Sequence, residues 1–411
     1  MKRKILLSAF ACDPVTGSEP YVGWNWAMLL ADDYDVHVLT RKFSHSLITG
    51  HPQANKVSFH FVDFLGCESR DHHWRYIKPY YVLWQILILF QVLALQSRHS
   101  FEIIHHVTYN TIDVPGFLWL TPRAHFVWGP VGAGQTSPPS LAAVYGDQWW
   151  KERVRGVVKS LTRYNPVIRA AIKRAAIVLV VNQETADRLA GLRFRLAMMV
   201  ETAISAGCDC EPPICKGGDG KLRLLWLSHV FPGKGLTLAL DGFRRALDRD
   251  AGRTDMKLMV IGAGVDLLRA KDHASRIGLS EHVAFLGAVP HSEVDRCFAE
   301  NDAFLFTSVR DTSGNVLLEA MRNAKPIIAL NHQGAKAMIT QGGARLVEIG
   351  TYDETADGLG RAIVELAHDP SLRRQMGRLA FQEVRARHTW AAKRLQILDI
   401  YAQLLCERKM G

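Results

Sequence analysis

What most constrains this chain is a rhythm in which short apolar runs alternate with amphipathic stretches, once before a Gly/Pro-rich stretch and again after it. Candidate strands in the first half are 5–10, 35–40, 57–61, 103–106, 125–128 and 177–181. Those in the second half are 222–228, 257–261, 283–286, 303–307 and 326–330. Parallel neighbours cannot be joined by a tight turn and need a long crossover, usually helical, so runs separated by helix-length stretches predict α/β layers. Each half therefore reads as its own doubly wound parallel sheet.

Length agrees with that division. At 411 residues the chain exceeds the roughly 250–300 over which a single core keeps growing. The stretch 205–220 carries Gly207, Pro212, Pro213, Gly217 and Gly218 and suits a linker better than a regular element. From 371 to 409, Leu372, Met376, Leu379, Leu395, Leu398 and Leu405 keep helical spacing, with an interruption around His388-Thr389-Trp390. The expected organisation is a domain over 1–205, a linker over 206–220 and a second domain over 221–385. A C-terminal helix over 386–411 is expected to pack back toward the first domain.

The formal net charge of +10 and pI near 9.3 call for an acidic partner: nucleic acid, anionic lipid or a phosphorylated substrate. No run of five basic residues and no zinc-finger, RNP or basic-zipper pattern occurs, so nucleic acid falls behind the other two. A basic surface that merely keeps the chain soluble remains open. The cysteines, Cys12, Cys67, Cys208, Cys210, Cys215, Cys297 and Cys406, are scattered and odd in number, which suits a reducing compartment. Metal-ribbon spacing is absent from the Cys208–Cys215 cluster. The opening MKRKILLSAFAC imitates a signal peptide, but its apolar core is short and Phe10 spoils the cleavage pattern, so a first buried strand is the better reading.

One segment breaks the rhythm. Tyr80 to Leu95 is almost wholly apolar or aromatic, about 16 residues, short of the roughly 20 that span a bilayer. Arg75, Lys78 and Arg98 flank it, as they would flank a helix lying in a lipid interface. A buried core helix is the alternative.

Three loops carry candidate chemistry. After the first strand comes Thr16-Gly17-Ser18-Glu19-Pro20, where a glycine before a helix start lets backbone approach an anion. The full G-x-G-x-x-G fingerprint of a nicotinamide dehydrogenase is missing. The second half opens with LRLLWLSHVFPGKGLTLALDGF, in which Lys234 lies between two glycines and is free to meet a phosphate. It is not a Walker loop. The third, FLFTSVRDTSGNVLLEAMRNAKPIIAL, sets Asp311 in a loop and Glu319 about one and a half turns into a helix, so both can face one crevice. Backbone N–H groups of Gly314, Asn315 and Val316 would open that helix and receive a pyrophosphate.

With Asp311-x7-Glu319, the Lys234 loop and FLGAVPHSEV, the second half resembles the donor half of retaining GT-B glycosyltransferases of family 4. HHVTYNTIDVPGFLWL, HFVWGPVGAGQ and GSEPYVGWNWA make the first half similar to a bacterial branch of that family. The resemblance implies two Rossmann-like domains facing a central cleft, with the acceptor side on the first. It implies that Glu319 binds the ribose hydroxyls, that Asp311 contacts the transferred sugar and that Lys234 neutralises the diphosphate. Main chain around Val289 would contact the base, and Gly17 would let the first-domain loop approach the phosphate.

Three departures from the family pattern stand out. Asp311 replaces the commoner glutamate, His229 occupies the place of a diphosphate-binding arginine, and Val107 stands where a histidine is usual, leaving His106 to take over its sugar contact or to cap the strand. The implied activity is retaining, metal-independent and free of cofactor, transferring sugar from a nucleotide sugar to a glycan or lipid-linked acceptor, as in cell-surface polysaccharide synthesis. The expected location is the cytoplasm, peripheral on the inner face of the membrane. A GT-B-like nucleotide-sugar epimerase and a non-catalytic nucleotide-sugar scaffold are the rival readings.

Overall fold

The computed structural model describes residues 2–16, 19–64, 77–109, 111–205 and 220–410. Gly17, residues 206–219 of the expected linker, and Cys67, Cys208, Cys210 and Cys215 lie outside the described residues. Contacts divide the chain into two units: Met1–Gly134 with Val158–Thr202 and Trp390–Gly411, and Gln135–Val157 with Ala203–Thr389.

The first unit is built on a parallel seven-stranded sheet of β1 (Lys4–Ser8), β2 (Asp35–Thr40), β3 (Ser58–Phe61), β4 (Ile103–His106), β5 (His125–Val131), β6 (Ala175–Val180) and β7 (Leu196–Met198). Its order is β3-β2-β1-β4-β5-β6-β7. The second unit holds a parallel six-stranded sheet of β8 (Lys221–Leu227), β9 (Asp255–Ile261), β10 (Val283–Gly287), β11 (Ala303–Phe306), β12 (Ile327–Leu330) and β13 (Ala344–Val347). There the order is β10-β9-β8-β11-β12-β13. Both sheets reverse direction beside their first strand, between β1 and β4 and between β8 and β11, so each is doubly wound with a switch point where loops splay apart.

Two strands, β7 and β13, leave no apolar run that the sequence reading could find. Both are sheet edges covered less completely than the centre: β7 is the three-residue LAM, and only Val347 of β13 is buried.

The domain boundary also differs from 1–205, because residues 135–157 associate with the second unit. Leu141, Val144 and Tyr145 join the core of Leu222, Leu224, Trp226 and Val230, and Arg269 donates to the Val144 carbonyl at 2.6 Å. Sequence proximity to β5 concealed this. The C-terminal helix Trp390–Met410 lies in the first unit, where Arg394 pairs with Asp33 at 2.7 Å and the Tyr401 hydroxyl meets His105 at 2.7 Å.

The segment at Tyr80–Leu95 is part of a longer helix, Ile77–His99, which takes in Lys78 and Arg98. It is long and apolar enough to cross a membrane by length and composition, yet 44% of its most apolar window is buried within the protein itself. Tyr81, Trp84, Ile88 and Val92 pack with Phe10, Ile104 and Trp128, while Leu83, Ile86, Phe90 and Leu93 face solvent. The buried-helix alternative thus describes one side of the helix, and the other side is open to solvent.

Candidate functional site

The switch point of the second unit brings the loop after β8 against the loop after β11. Gly235 caps the helix Leu236–Asp250 at φ +68°, a conformation that costs glycine least. A side chain there would have its Cβ 2.2 Å from the Thr307 carbonyl oxygen. The Thr307 hydroxyl donates to the Gly235 carbonyl at 2.9 Å and accepts from the Trp226 indole at 3.1 Å, locking the two strand ends together. Val309 and Arg310 N–H groups both donate to the Gly233 carbonyl, at 3.0 and 3.1 Å.

That clamp sets Lys234 directly against Asp311, with which it forms an ion pair in a largely enclosed position. Asp311 is itself held from behind. Its N–H donates to the Gln333 side-chain oxygen at 2.8 Å, and the Gln333 amide donates in turn to the Thr136 carbonyl at 2.8 Å. Gln135 donates to the neighbouring Thr312 hydroxyl at 2.6 Å.

Beyond this loop the helix Asn315–Arg322 begins, capped by Gly314 at φ +74°. The Gly314 carbonyl accepts from Leu317, so the N–H groups of Asn315 and Val316 have no acceptor within their own helix and point from its positive end. Lys234 pairs with Asp311 in the loop that leads into this helix, and a cation combined with a helix start suits a diphosphate. Asp311 balances that charge. Glu319, further along the helix, is mostly buried, which raises its carboxyl above the usual range, and the His291 ring lies 3.9 Å from it.

His229 is exposed immediately beyond β8, and Val289 is half-buried just past β10. Both stand at the carboxyl ends of strands, as Lys234 and Asp311 do. Among the described residues neither makes a hydrogen bond or ion pair with Lys234, Asp311 or Glu319.

Sequence reasoning missed the support of the Asp311 loop. Glu152 is 5% exposed and bonds Arg155 at 2.9 Å and Arg310 at 2.7 Å, while Ser137 N–H donates to it at 3.2 Å. Burial alone would raise its carboxyl, but the two guanidinium groups outweigh that and hold it below the ordinary value. Arg310 lies next to Asp311 within a stretch already singled out. Its partner, more than 150 positions earlier, left no sequence signal.

In the first unit His106 requires a correction. Its place at the end of β4 suggests a ligand contact, but it is 1% exposed, with Nε2 at 2.5 Å from the Tyr81 hydroxyl and Nδ1 at 3.1 Å from Ser8 Oγ. Burial drops its pKa to about 3, so the ring is neutral. β4 is a central strand of a parallel sheet covered on both faces, which closes His105 and His106 alike. In this structure both ring nitrogens of His106 face protein partners. Glu19 also lies at this switch point; its carboxylate accepts from the Tyr109 N–H, and burial raises its pKa to about 7.

Residues 217–383 match the family model described as glycosyl transferases group 1. The chain is 26% identical over 168 residues to the lipopolysaccharide core biosynthesis glycosyltransferase LpsE of Rhizobium meliloti, covering 41% of this chain and 46% of that protein. It spans less than half the length of the curated relatives it matches. Solved structures match over nearly the whole chain. Sucrose-phosphate synthase from Thermosynechococcus elongatus aligns with a TM-score of 0.67 at 16% identity, covering 99% of this chain and 100% of that one. Anabaena Alr3699/HepE in complex with UDP aligns at 0.63 and 16% identity, covering 98% and 100%. At such identity these likenesses establish the fold alone. The chain therefore has the fold of the GT-B glycosyltransferases, and its glycosyl transferases group 1 match falls on the unit that carries Lys234, Asp311 and Glu319.

Proposed function

We propose that this protein is a retaining, metal-independent glycosyltransferase that moves a sugar from a nucleoside-diphosphate sugar to a hydroxyl of a glycan or lipid-linked acceptor. Its setting is cell-surface polysaccharide synthesis in the cytoplasm. The observation that carries this reading is the Lys234–Asp311 pair at the start of the helix Asn315–Arg322, at the switch point of a sheet within the family match.

In this reading a diphosphate draws Lys234 from Asp311 and receives the N–H groups of Gly314, Asn315 and Val316, with His229 adding charge when protonated. Released from the lysine, Asp311 accepts from hydroxyls of the transferred sugar. Glu319 accepts from the ribose hydroxyls, and main chain near Val289 meets the base. The bond from the anomeric carbon to the phosphate oxygen breaks as the acceptor oxygen bonds that carbon. The acceptor proton passes to the departing phosphate, so no covalent nucleophile and no cofactor is required. The likeness to the lipopolysaccharide core biosynthesis glycosyltransferase LpsE supports a surface-glycan acceptor.

The test begins with thermal shift against uridine and guanosine diphosphate sugars, since a ligand held only by the folded state raises the melting temperature. Glu319→Ala is expected to abolish the shift while leaving the unliganded melt close to wild type. A full shift in that variant would remove Glu319 from the site. Interconversion of the sugar without any dependence on acceptor would replace transfer by epimerisation, and binding with no turnover of any acceptor would leave a scaffold.

A further inference from the structure

We propose that one face of the first unit docks onto an anionic lipid surface. That face is formed by the helix Ile77–His99, the turn Leu118–Leu120 and the helix Pro166–Arg174 with the turn Thr162–Tyr164 that leads into it.

These pieces are neighbours. The turn Leu118–Leu120 packs against both helices, and the helix Pro166–Arg174 packs on the turn Thr162–Tyr164. Beneath them lies one core, in which Ile168 and Ile172 meet Tyr80, Trp84, Ile88 and Leu118. The core is therefore complete without the outward residues, and those ought to be polar in a helix of ordinary amphipathic design.

They are not. Along the helix Ile77–His99 the outward stripe reads Leu83, Ile86, Phe90 and Leu93, at helical spacing, with Leu83 54% and Phe90 67% exposed. Leu120 and Val167 continue it on the adjoining elements, and Tyr164 stands 60% exposed at its border. Solvent-facing apolar residues scattered singly need no explanation, but a contiguous set does.

Charge identifies the occupant. Residues 77–99, 114–126 and 158–175 contain no aspartate or glutamate. Exposed cations border the apolar stripe: Lys78 and Arg98 at the two ends of one helix, and Arg163, Arg169, Lys173 and Arg174 on and beside the other. An interfacial surface that buries apolar side chains at the headgroup boundary while its lysines and arginines meet phosphates has this composition. A second copy of the chain fits badly, since apposing two such faces would bring cations against cations. The exposed aromatics suit the wet and apolar halves of a headgroup layer.

Lipid docking is independent of glycosyl transfer, and its test is separable from nucleotide binding. The full chain is sedimented with vesicles of phosphatidylcholine alone and of phosphatidylcholine mixed with phosphatidylglycerol, at low and high salt. Binding is expected only to the anionic vesicles and is expected to weaken with salt. Each cation close to such a leaflet changes the partition about fivefold, so Arg169→Gln/Lys173→Gln/Arg174→Gln is expected to weaken binding roughly a hundredfold. Leu83→Ser/Phe90→Ser should also release the protein from vesicles. All five side chains are exposed, so both variants should keep the wild-type melt and nucleotide-sugar shift. Wild-type protein that stays in the supernatant with anionic vesicles overturns the proposal. So does vesicle binding unchanged in both variants, or a concentration-dependent dimer in lipid-free buffer that Phe90→Glu dissolves.

Discussion

Substituting Gly235 by alanine tests whether the clamp between β8 and β11 positions the proposed anion site. The new Cβ would lie 2.2 Å from the Thr307 carbonyl oxygen, about 1 Å inside any tolerable approach, and the residue would keep a φ of +68°. Gly252 provides the control, because it has φ +79° with no atom within 4 Å of an added Cβ. Both variants incur the left-handed backbone penalty of roughly 1–2 kcal/mol. Only Gly235→Ala adds overpacking, a further ~1–3 kcal/mol. Relief requires the Lys234 loop to move away from Thr307, and a misplacement of about 1 Å in a positioned charge can cost up to a hundredfold in rate. Denaturant unfolding followed by circular dichroism reads the change in stability. The expected result is a larger loss of stability in Gly235→Ala than in Gly252→Ala, together with weakened binding, by calorimetry in the first variant alone, of whichever nucleoside diphosphate sugar stabilises the wild-type protein. Equal stability in the two variants with unchanged binding of that nucleotide sugar would refute the reasoning.

Glu152→Gln leaves Arg155 and Arg310 without their shared carboxylate, and losing one partner of a buried pair costs about 3–5 kcal/mol; the melt of the second unit should fall and Asp311-dependent nucleotide-sugar binding should weaken with it. Acid should destabilise the first unit. Burial lowers His105 and His106 to about 3 and His37 to about 4, so below their unfolded value near 6.5 the unfolded state binds more protons and stability falls with pH. Near pH 5 the two fully buried rings, His105 and His106, each cost about 2 kcal/mol, and Glu19, raised to about 7, offsets roughly one of them by regaining stability as it protonates. Urea unfolding at about pH 7.5 and pH 5 checks the sign, and a first unit that is more stable in acid would contradict the neutral histidines.

The two-sheet architecture was legible because burial within a parallel sheet demands apolar runs at strand length, and the central strands β1, β4, β8 and β11 supply them. Lys234, Asp311 and the helix start at Gly314 were legible for a related reason. A glycine-bordered loop between a strand and a helix is a local feature, and the positive φ values of Gly235 and Gly314 give it physical form. Edge strands β7 and β13 were not, since partial exposure relaxes the pattern.

What the sequence alone determined is what neighbours along the chain decide: the alternation of layers, the loops that end strands and the helix starts that follow them. Tertiary structure decided which distant segments share a core. It assigned residues 135–157 to the second unit, brought Glu152 to Arg310, enclosed His106 and left one side of the helix Ile77–His99 in solvent. An apolar residue has the same transfer preference whichever surface covers it, so only the packed chain distinguishes a buried face from an exposed one.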